Sequence, residues 1–225
     1  MIADLAGQRW GNGEGTVQAY SGPIPARVGM TGRRRLTALT RQLHQLLRAH
    51  DPGTAAHALR VRRYARVLAR ALGLPRPQRV QLDLAAQMHD LGKVAVPVAV
   101  LTKPGALTPL ERRLVELHPT TGADLLTRFG FPRAVVAAVR SHHERFDGHG
   151  YPDGLRGYQI PLLARILSVA DCFDALTGRR SYRQALAPAE ALAHLREDAG
   201  SHFDPELVTA FLSCHLCDLS VAASS

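Results

Sequence analysis

The chain has 225 residues and a formal charge of +9, with 46% apolar but only 5% aromatic residues. This length suits a single folded domain, and aliphatic side chains dominated by Ala and Leu favour helices over strands. No apolar run approaches the roughly 20 residues of a membrane span, the N-terminus lacks a signal-peptide pattern, and three cysteines provide no disulfide framework. The composition predicts an all-α, cytoplasmic protein.

Arginine supplies most of the positive charge, because Lys93 and Lys103 are the only lysines among 28 basic residues. The charge suits an anionic partner such as a nucleotide, a nucleic acid or a membrane surface, and solubility explains it equally well. A lysine ammonium is a compact point charge that suits phosphate, whereas arginine is a planar fork. The two lysines are therefore candidates for a chemical role, with chance as the alternative.

Residues 1–36 carry Gly, Pro and Arg without apolar periodicity and are predicted to form a flexible N-terminal arm or linker. The folded domain is predicted over residues 37–217, and residues 218–225 are predicted to form a C-terminal tail. In residues 54–72, apolar side chains recur every three or four positions, which places His57 on the buried face of a helix. A second apolar stripe of Val80, Leu84, Met88 and Leu91 predicts a helix that ends near Gly92.

Later helices carry recognisable start and stop signals. Thr108 and Glu111 form a capping box with Pro109 in the first turn, which predicts a helix that runs to His118 and is broken by Pro119. Further helices are predicted over residues 132–143, 163–176, 188–198 and 206–216. The expected fold is a single bundle of about seven to nine helices.

Seven histidine and aspartate side chains on these helices would share one interior: His57, His89, Asp90, His118, His142, His143 and Asp171. A single histidine on an apolar face is usually a hydrogen-bonded core residue, but a group of this size is costly to bury unless something binds it. Asp171 lies in an apolar stripe between Val169 and Phe173, where a cation would hold its carboxylate. Imidazole nitrogens and carboxylate oxygens suit iron, manganese or zinc, so the pattern predicts a metal centre.

The adjacent pair His89 and Asp90 could reach two neighbouring ions, because successive helical side chains diverge by about 100°. Asp90 is then the natural bridge. Two metals about 3.5 to 4 Å apart would activate a bridging hydroxide and neutralise phosphoryl charge, which is one way of cleaving phosphate esters.

Further motifs accompany these residues: Leu91-Gly92-Lys93, Lys103-Pro104-Gly105, His142-His143-Glu144, Gly150-Tyr151-Pro152 and Asp174-Ala175-Leu176-Thr177. In their order and spacing, over roughly residues 50 to 212, they resemble the HD-GYP family, the HD-superfamily phosphodiesterases of cyclic di-GMP. The resemblance implies a helical HD-superfamily bundle and that family's activity.

The resemblance also implies a division of the metal ligands. One ion would be held by His57, His89, Asp90 and Asp171, and the other by Asp90, His118, His142 and His143. The family uses iron or manganese in such sites. Lys93 would lie near the bridging hydroxide and the phosphate, where it could stabilise developing charge or protonate a leaving oxygen. Lys93 and Asp90 are the candidate catalytic residues.

The candidate substrate-binding residues are Tyr151, Arg180, Arg183 and Lys103. The Gly-rich loop would let Tyr151 approach a guanine or the phosphodiester. Arg180 and Arg183 match family residues that contact phosphates and bases, and a solvated basic turn is the alternative for both. Gly53 stands where some members have a carboxylate for a third metal, which favours two metals here.

The leading hypothesis is a phosphodiesterase that hydrolyses cyclic di-GMP to linear pGpG through a metal-bridging hydroxide, with GMP as a further product left open. A phosphodiesterase for a related cyclic dinucleotide such as cyclic GMP-AMP is a close alternative.

A non-catalytic module that senses cyclic di-GMP or binds a partner is the alternative from another class. Family members can contact diguanylate cyclase (GGDEF) domains through the GYP loop, which makes such domains candidate partners. A nucleic-acid binder rests on charge alone and lacks interleaved aromatic residues, so neither nucleic acid nor a membrane is expected as a partner. The sequence does not predict an oligomeric state.

Overall fold

The computed structural model describes residues 32–178 and 185–222, with side chains for residues 34–178 and 185–214. Within this part of the chain nine α-helices have eight residues or more, and there is no β-strand. The helices are α1 (Gly32–His50), α2 (Pro52–Ala71), α3 (Arg76–Met88), the short α4 (Val98–Leu101), α5 (Pro109–Glu116), α6 (His118–Arg128), α7 (Arg133–Arg140), α8 (Leu162–Thr177), α9 (Pro188–Glu197) and α10 (Pro205–Ala222). Short 3₁₀ turns occupy Leu91–Ala95 and Gly157–Gln159. The predicted all-α bundle is confirmed.

Helices α2 and α8 form the centre of the bundle. Helix α2 packs against α1, α3, α8 and α10, and its buried face carries Ala58, Val61 and Ala65 together with His57, as predicted. Helix α8 is apolar on almost all sides, which is expected of a helix surrounded by others. Its position in the core explains how Asp171, near its middle, reaches the interior.

The predicted stripe on α3 is only partly correct. Met88 and Leu91 are fully buried, but Val80 is exposed and the buried face also carries Leu82, Ala85 and Ala86. Because α3 packs against both α2 and α8, its buried face is wider and turned away from the side on which Val80 lies.

Two helices end earlier in the sequence than predicted. Pro119 does not simply break a helix: α5 ends at Glu116, and Pro119 occupies the first turn of the new helix α6. Proline suits that position because its missing N–H would have no partner inside the helix. Helix α7 ends at Arg140, so His142 and His143 lie in the turn after it rather than on the helix.

The predicted domain boundaries stay a prediction. Helix α1 begins at Gly32, inside the predicted arm, and α10 continues to Ala222, inside the predicted tail. Asp204 caps α10 as expected, since its Oδ1 accepts a hydrogen bond from the amide of Glu206 at 2.9 Å. Among the described helices, none combines the length and the apolar character needed to cross a membrane.

Candidate metal centre

Three candidate ligand histidines stand just beyond the C-terminal ends of helices. His89 follows α3, His118 follows α5, and His142 follows α7. The last carbonyls of a helix lack partners inside it. Each histidine uses one of them, and the distances from Nδ1 to oxygen are 2.9 Å from His89 to Ala86, 2.6 Å from His118 to Val115 and 2.7 Å from His142 to Val139. Because a carbonyl only accepts, each Nδ1 donates its N–H to that oxygen, and each Nε2 faces the interior.

The Nε2 atoms of His118 and His142 are 3.2 Å apart. Burial lowers the pKa of His118 to about 3 and that of His142 well below its usual value, so both rings are neutral. Two lone pairs therefore face each other with no proton between them. The Nε2 atom of His89 is also buried and has no hydrogen-bond partner among the described residues. Cations would satisfy all three atoms, and the 3.2 Å between the Nε2 atoms of His118 and His142 suits neighbouring ligands of one ion at about 2.1 Å each.

The carboxylate of Asp90 lies between two groups of histidines. Its Oδ2 is 3.4 Å from Nε2 of His89 and 3.9 Å from Nε2 of His57, while its Oδ1 is 3.3 Å from Nε2 of His118. Burial would raise the pKa of Asp90, but Lys93, with Nζ 2.8 Å from Oδ2, and the surrounding histidines hold it well below its usual value. Asp90 thus lies between the two histidine groups with Lys93 beside it, and its role as a bridge between two ions stays a prediction.

His57 and Asp171 form a close pair, with Nε2 2.8 Å from Oδ1. Burial would lower the pKa of His57, but its hydrogen bonds to Asp171 and Asp174 outweigh this and raise it to about 9. Without metal, a proton is thus shared between Nε2 and Asp171. A divalent ion needs the same nitrogen unprotonated, so it would replace this proton on binding.

His143 closes the other side of the centre. Its ring lies 5.0 Å from the ring of His118 and stacks on Tyr151 at 5.0 Å with an angle of 27° between the planes. Burial lowers the pKa of His143 to about 3, so the ring is neutral and able to bind a metal. The predicted substrate residue Tyr151 therefore contacts a candidate ligand directly.

The seven predicted ligands all meet in one interior. In the described part of the chain, three groups have ligand atoms within 4.8 Å of one another: His57, His89 and Asp171; His118, His142 and His143; and His89, Asp90 and His142. The first two groups reproduce the division implied by the sequence motifs, and the third joins them through Asp90. The donor set and its geometry fit a pair of divalent ions, while the assignment of each ligand stays a prediction.

Glu144 has a role that the sequence analysis missed. Its buried carboxylate accepts hydrogen bonds from the amides of Asp153 at 2.7 Å and Leu155 at 3.1 Å. It thereby ties the loop that carries Tyr151 to the turn that carries His142 and His143. The loop also lies so close to this turn that a Cβ atom on Gly150 would be 2.2 Å from the amide nitrogen of Arg145. The position of Glu144 directly after the two histidines was the only signal in the sequence.

Replacing Glu144 with Gln is expected to lower the free energy of unfolding by about 1 to 3 kcal/mol, because an amide NH₂ would face a partly buried backbone N–H and leave it unpaired. Chemical denaturation measures this change. Glu197→Gln, a change on a side chain that is 76% exposed, should stay within about 0.5 kcal/mol of the parent protein. Equal stability of Glu144→Gln and the parent protein would contradict the anchoring role.

The predicted substrate residue Lys103 pairs with a carboxylate that is not among the candidate ligands. Both carboxylate oxygens of Glu111 bind the ammonium of Lys103, at 3.0 and 2.7 Å, and Glu111 also completes the capping box with Thr108. This pairing gives Lys103 a structural role at the start of α5, and its contact with substrate stays a prediction. Arg180 and Arg183 lie outside the described residues.

Comparison with known proteins adds to this geometry. A sequence profile of the HD domain matches residues 41–207. The cyclic di-GMP phosphodiesterase response regulator RpfG of Xanthomonas campestris pv. campestris is 43% identical over 175 residues, which are 76% of this chain and 46% of that protein. The 3'3'-cGAMP-specific phosphodiesterase 3 of Vibrio cholerae is 38% identical over 74% of this chain and 36% of that protein.

The fold is also found among solved structures. The crystal structure of a cyclic GMP-AMP specific phosphodiesterase of Vibrio cholerae matches with a TM-score of 0.64 and 22% identity, over 83% of this chain and 50% of that chain. At this identity the match shows the fold alone. The chain spans less than half the length of the two curated relatives described above.

Proposed function

This chain belongs to the HD domain family, as its HD-GYP motifs indicate, and we propose that it is a metal-dependent phosphodiesterase that hydrolyses cyclic di-GMP to linear pGpG. The observation that carries the proposal is the joining of two groups of histidines through the carboxylate of Asp90. Lys93 and Tyr151 lie at the edge of that arrangement, where a substrate phosphate would bind.

We propose that His57, His89 and Asp171 hold one divalent ion, that His118, His142 and His143 hold the other, and that Asp90 bridges both. Two such ions would activate water and neutralise phosphoryl charge. The mixture of imidazole and carboxylate donors suits iron, manganese or zinc, and the resemblance to the HD-GYP family favours iron or manganese.

The residues around the ligands supply orientation and charge. The Lys93 ammonium is held by Asp90 and only 21% exposed, so a phosphoryl oxygen that replaces water beside it gains a strong, preorganised contact. Burial, followed by the carboxylates of Glu116, Asp171 and Asp90, raises the pKa of Tyr151, which keeps its hydroxyl protonated. Tyr151 can therefore donate a hydrogen bond to a phosphate or guanine oxygen.

The choice between cyclic dinucleotides is the second part of the proposal. One relative is named for cyclic di-GMP and the other for 3'3'-cGAMP, and the first is more similar to this chain. We therefore infer cyclic di-GMP as the preferred substrate, with cyclic GMP-AMP as the runner-up. Further hydrolysis to GMP, contact with diguanylate cyclase domains through the GYP loop, and a cytoplasmic location stay predictions.

Steady-state kinetics on protein purified without oxygen and loaded with iron or manganese test the proposal. We expect a higher kcat/KM for cyclic di-GMP than for 3'3'-cGAMP, with pGpG as the first product by chromatography. A preference for 3'3'-cGAMP would contradict the inferred substrate but not the inferred reaction, phosphodiester hydrolysis. Tight binding of cyclic di-GMP by folded, metal-loaded protein without any product would instead support the non-catalytic sensing module.

A further inference from the structure

We propose that Asp174, held by Arg60, is a positioning residue for His57 and sets the affinity of the metal site to which His57 belongs. This inference rests on the proposed metal centre and extends it to two residues outside the ligand set. Both residues lie on central helices, Arg60 on α2 and Asp174 on α8.

The Nδ1 atom of His57 has a side-chain acceptor, whereas the Nδ1 atoms of three other candidate ligands have backbone acceptors. His89, His118 and His142 fix their ring orientation with backbone carbonyls in the last turns of the helices that precede them. His57 lies within α2, which spans Pro52–Ala71, and its nearest upstream carbonyls belong to the helix, where a carbonyl already accepts from the amide four residues later. The Nδ1–H of His57 finds its acceptor on another helix instead.

Asp174 supplies that acceptor. The Nδ1 atom of His57 donates to Oδ2 of Asp174 at 2.6 Å, and the Asp174 side chain is only 2% exposed. Asp171 lies one turn earlier on α8 and contacts the opposite nitrogen, Nε2, at 2.8 Å. Two aspartates on one helix face thus contact the two nitrogens of a single imidazole. Asp171 contacts the nitrogen that faces the metal centre, and Asp174 contacts the nitrogen that faces away from it.

Arg60 makes this arrangement rigid and keeps Asp174 ionised. Its Nε donates to Oδ1 of Asp174 at 2.8 Å, and its Nη2 donates to Oδ2 at 2.9 Å. Burial would raise the pKa of Asp174, but the hydrogen bonds from His57 and Arg60 outweigh it and lower the pKa below its usual value. Because a guanidinium fork binds a carboxylate in one geometry, Arg60 fixes the rotamer of Asp174, and Asp174 fixes the ring of His57.

The consequence for metal binding follows from the tautomer. With its proton held on Nδ1, His57 presents a lone pair on Nε2 to the ion, and the carboxylate behind the ring makes that nitrogen more basic. Loss of such a partner typically weakens metal affinity by about 10- to 100-fold. The effect should be confined to the site of His57, His89 and Asp171. In the described part of the chain, Asp174 forms no hydrogen bond or ion pair with His118, His142 or His143.

Calorimetric titration of metal-stripped protein with Mn²⁺ tests this inference directly. We expect Asp174→Asn to weaken one of two binding events by about 10- to 100-fold and to leave the other unchanged. Asp83→Asn is the matched control, because Asp83 on α3 also binds an arginine fork of α2, that of Arg66, away from the candidate ligands. Asp83→Asn should bind Mn²⁺ like the parent protein at both sites.

Arg60→Gln keeps the test decisive if Asp174→Asn does not fold, since the Arg60 side chain is 48% exposed and its loss is easier to accommodate. We expect this variant to weaken the same binding event by about tenfold. Parent-like Mn²⁺ affinity at both sites in the folded variants would overturn the inference. The titration contains no substrate, so its result does not depend on catalysis. Parent protein that binds two ions but cleaves no cyclic dinucleotide would overturn the proposed function and leave this inference standing.

Discussion

Replacing Asp90 with Asn is expected to reduce the kcat of the metal-loaded protein by about 100- to 1,000-fold or more, the range for removing one preorganised electrostatic contact. Among the carboxylates in the described part of the chain, Asp90 is the one whose two oxygens face different histidine groups, Oδ2 toward His89 and Oδ1 toward His118. Asparagine has a similar shape but offers one neutral oxygen, so it cannot bridge two cations. It also leaves the ammonium of Lys93 without its partner at 2.8 Å.

The measurement is the hydrolysis rate of cyclic di-GMP, accompanied by the metal content of each protein after dialysis. Asp90→Asn should lose metal as well as activity. Asp83→Asn, which makes the same chemical change at an arginine-paired carboxylate on α3, should keep both. A folded Asp90→Asn protein with the kcat and metal content of the parent would contradict the bridging role.

Replacing Gly92 with Ala is expected to lower the free energy of unfolding by at least about 1 to 3 kcal/mol and to reduce activity strongly, because overpacking forces the backbone to shift. A Cβ atom on Gly92 would be 2.0 Å from the carbonyl oxygen of His118 and 2.7 Å from the amide nitrogen of Gly122. These are backbone atoms and cannot rotate away. The turn after Asp90 would have to separate from α6, which carries His118.

Chemical denaturation and the hydrolysis rate together measure the effect. Gly53→Ala is the control, because Gly53 lies in the first turn of α2 and the nearest atom to its added Cβ is a side-chain oxygen of Asp51, at 3.2 Å. That carboxylate can move, so the control should change stability by about 1 kcal/mol or less. Parent-like stability and activity of Gly92→Ala would show that the two elements do not need this close approach.

The helical fold and the group of candidate ligands could be predicted because their signals are local. Apolar spacing placed His57 on the buried face of α2, and an apolar setting indicated that Asp171 reaches the interior, where it pairs with His57. The predictions failed where one residue type serves two purposes. Pro119 starts a helix as readily as it ends one, and nothing in the sequence around His142 shows that α7 ends before it.

The residues that orient the site could not be predicted in the same way. The roles of Glu144 and Asp174 depend on partners that only the folded chain brings close. Glu144 accepts hydrogen bonds from the backbone amides of a loop. Asp174 accepts one from the ring nitrogen of His57, on a helix far away in the sequence. Likewise, only the structure shows that carbonyls in the last turns of three helices accept hydrogen bonds from Nδ1 of the histidines that follow them.

Anomalous scattering from crystals grown with manganese would test the central claim. The claim is that a pair of cations binds to this cluster and offsets the cost of burying its imidazoles and carboxylates. Two peaks are expected, one among His57, His89 and Asp171 and the other among His118, His142 and His143, with Asp90 contacting both. Well-ordered crystals that show the same side chains but no peak within the cluster, or manganese bound only elsewhere on the protein, would contradict it.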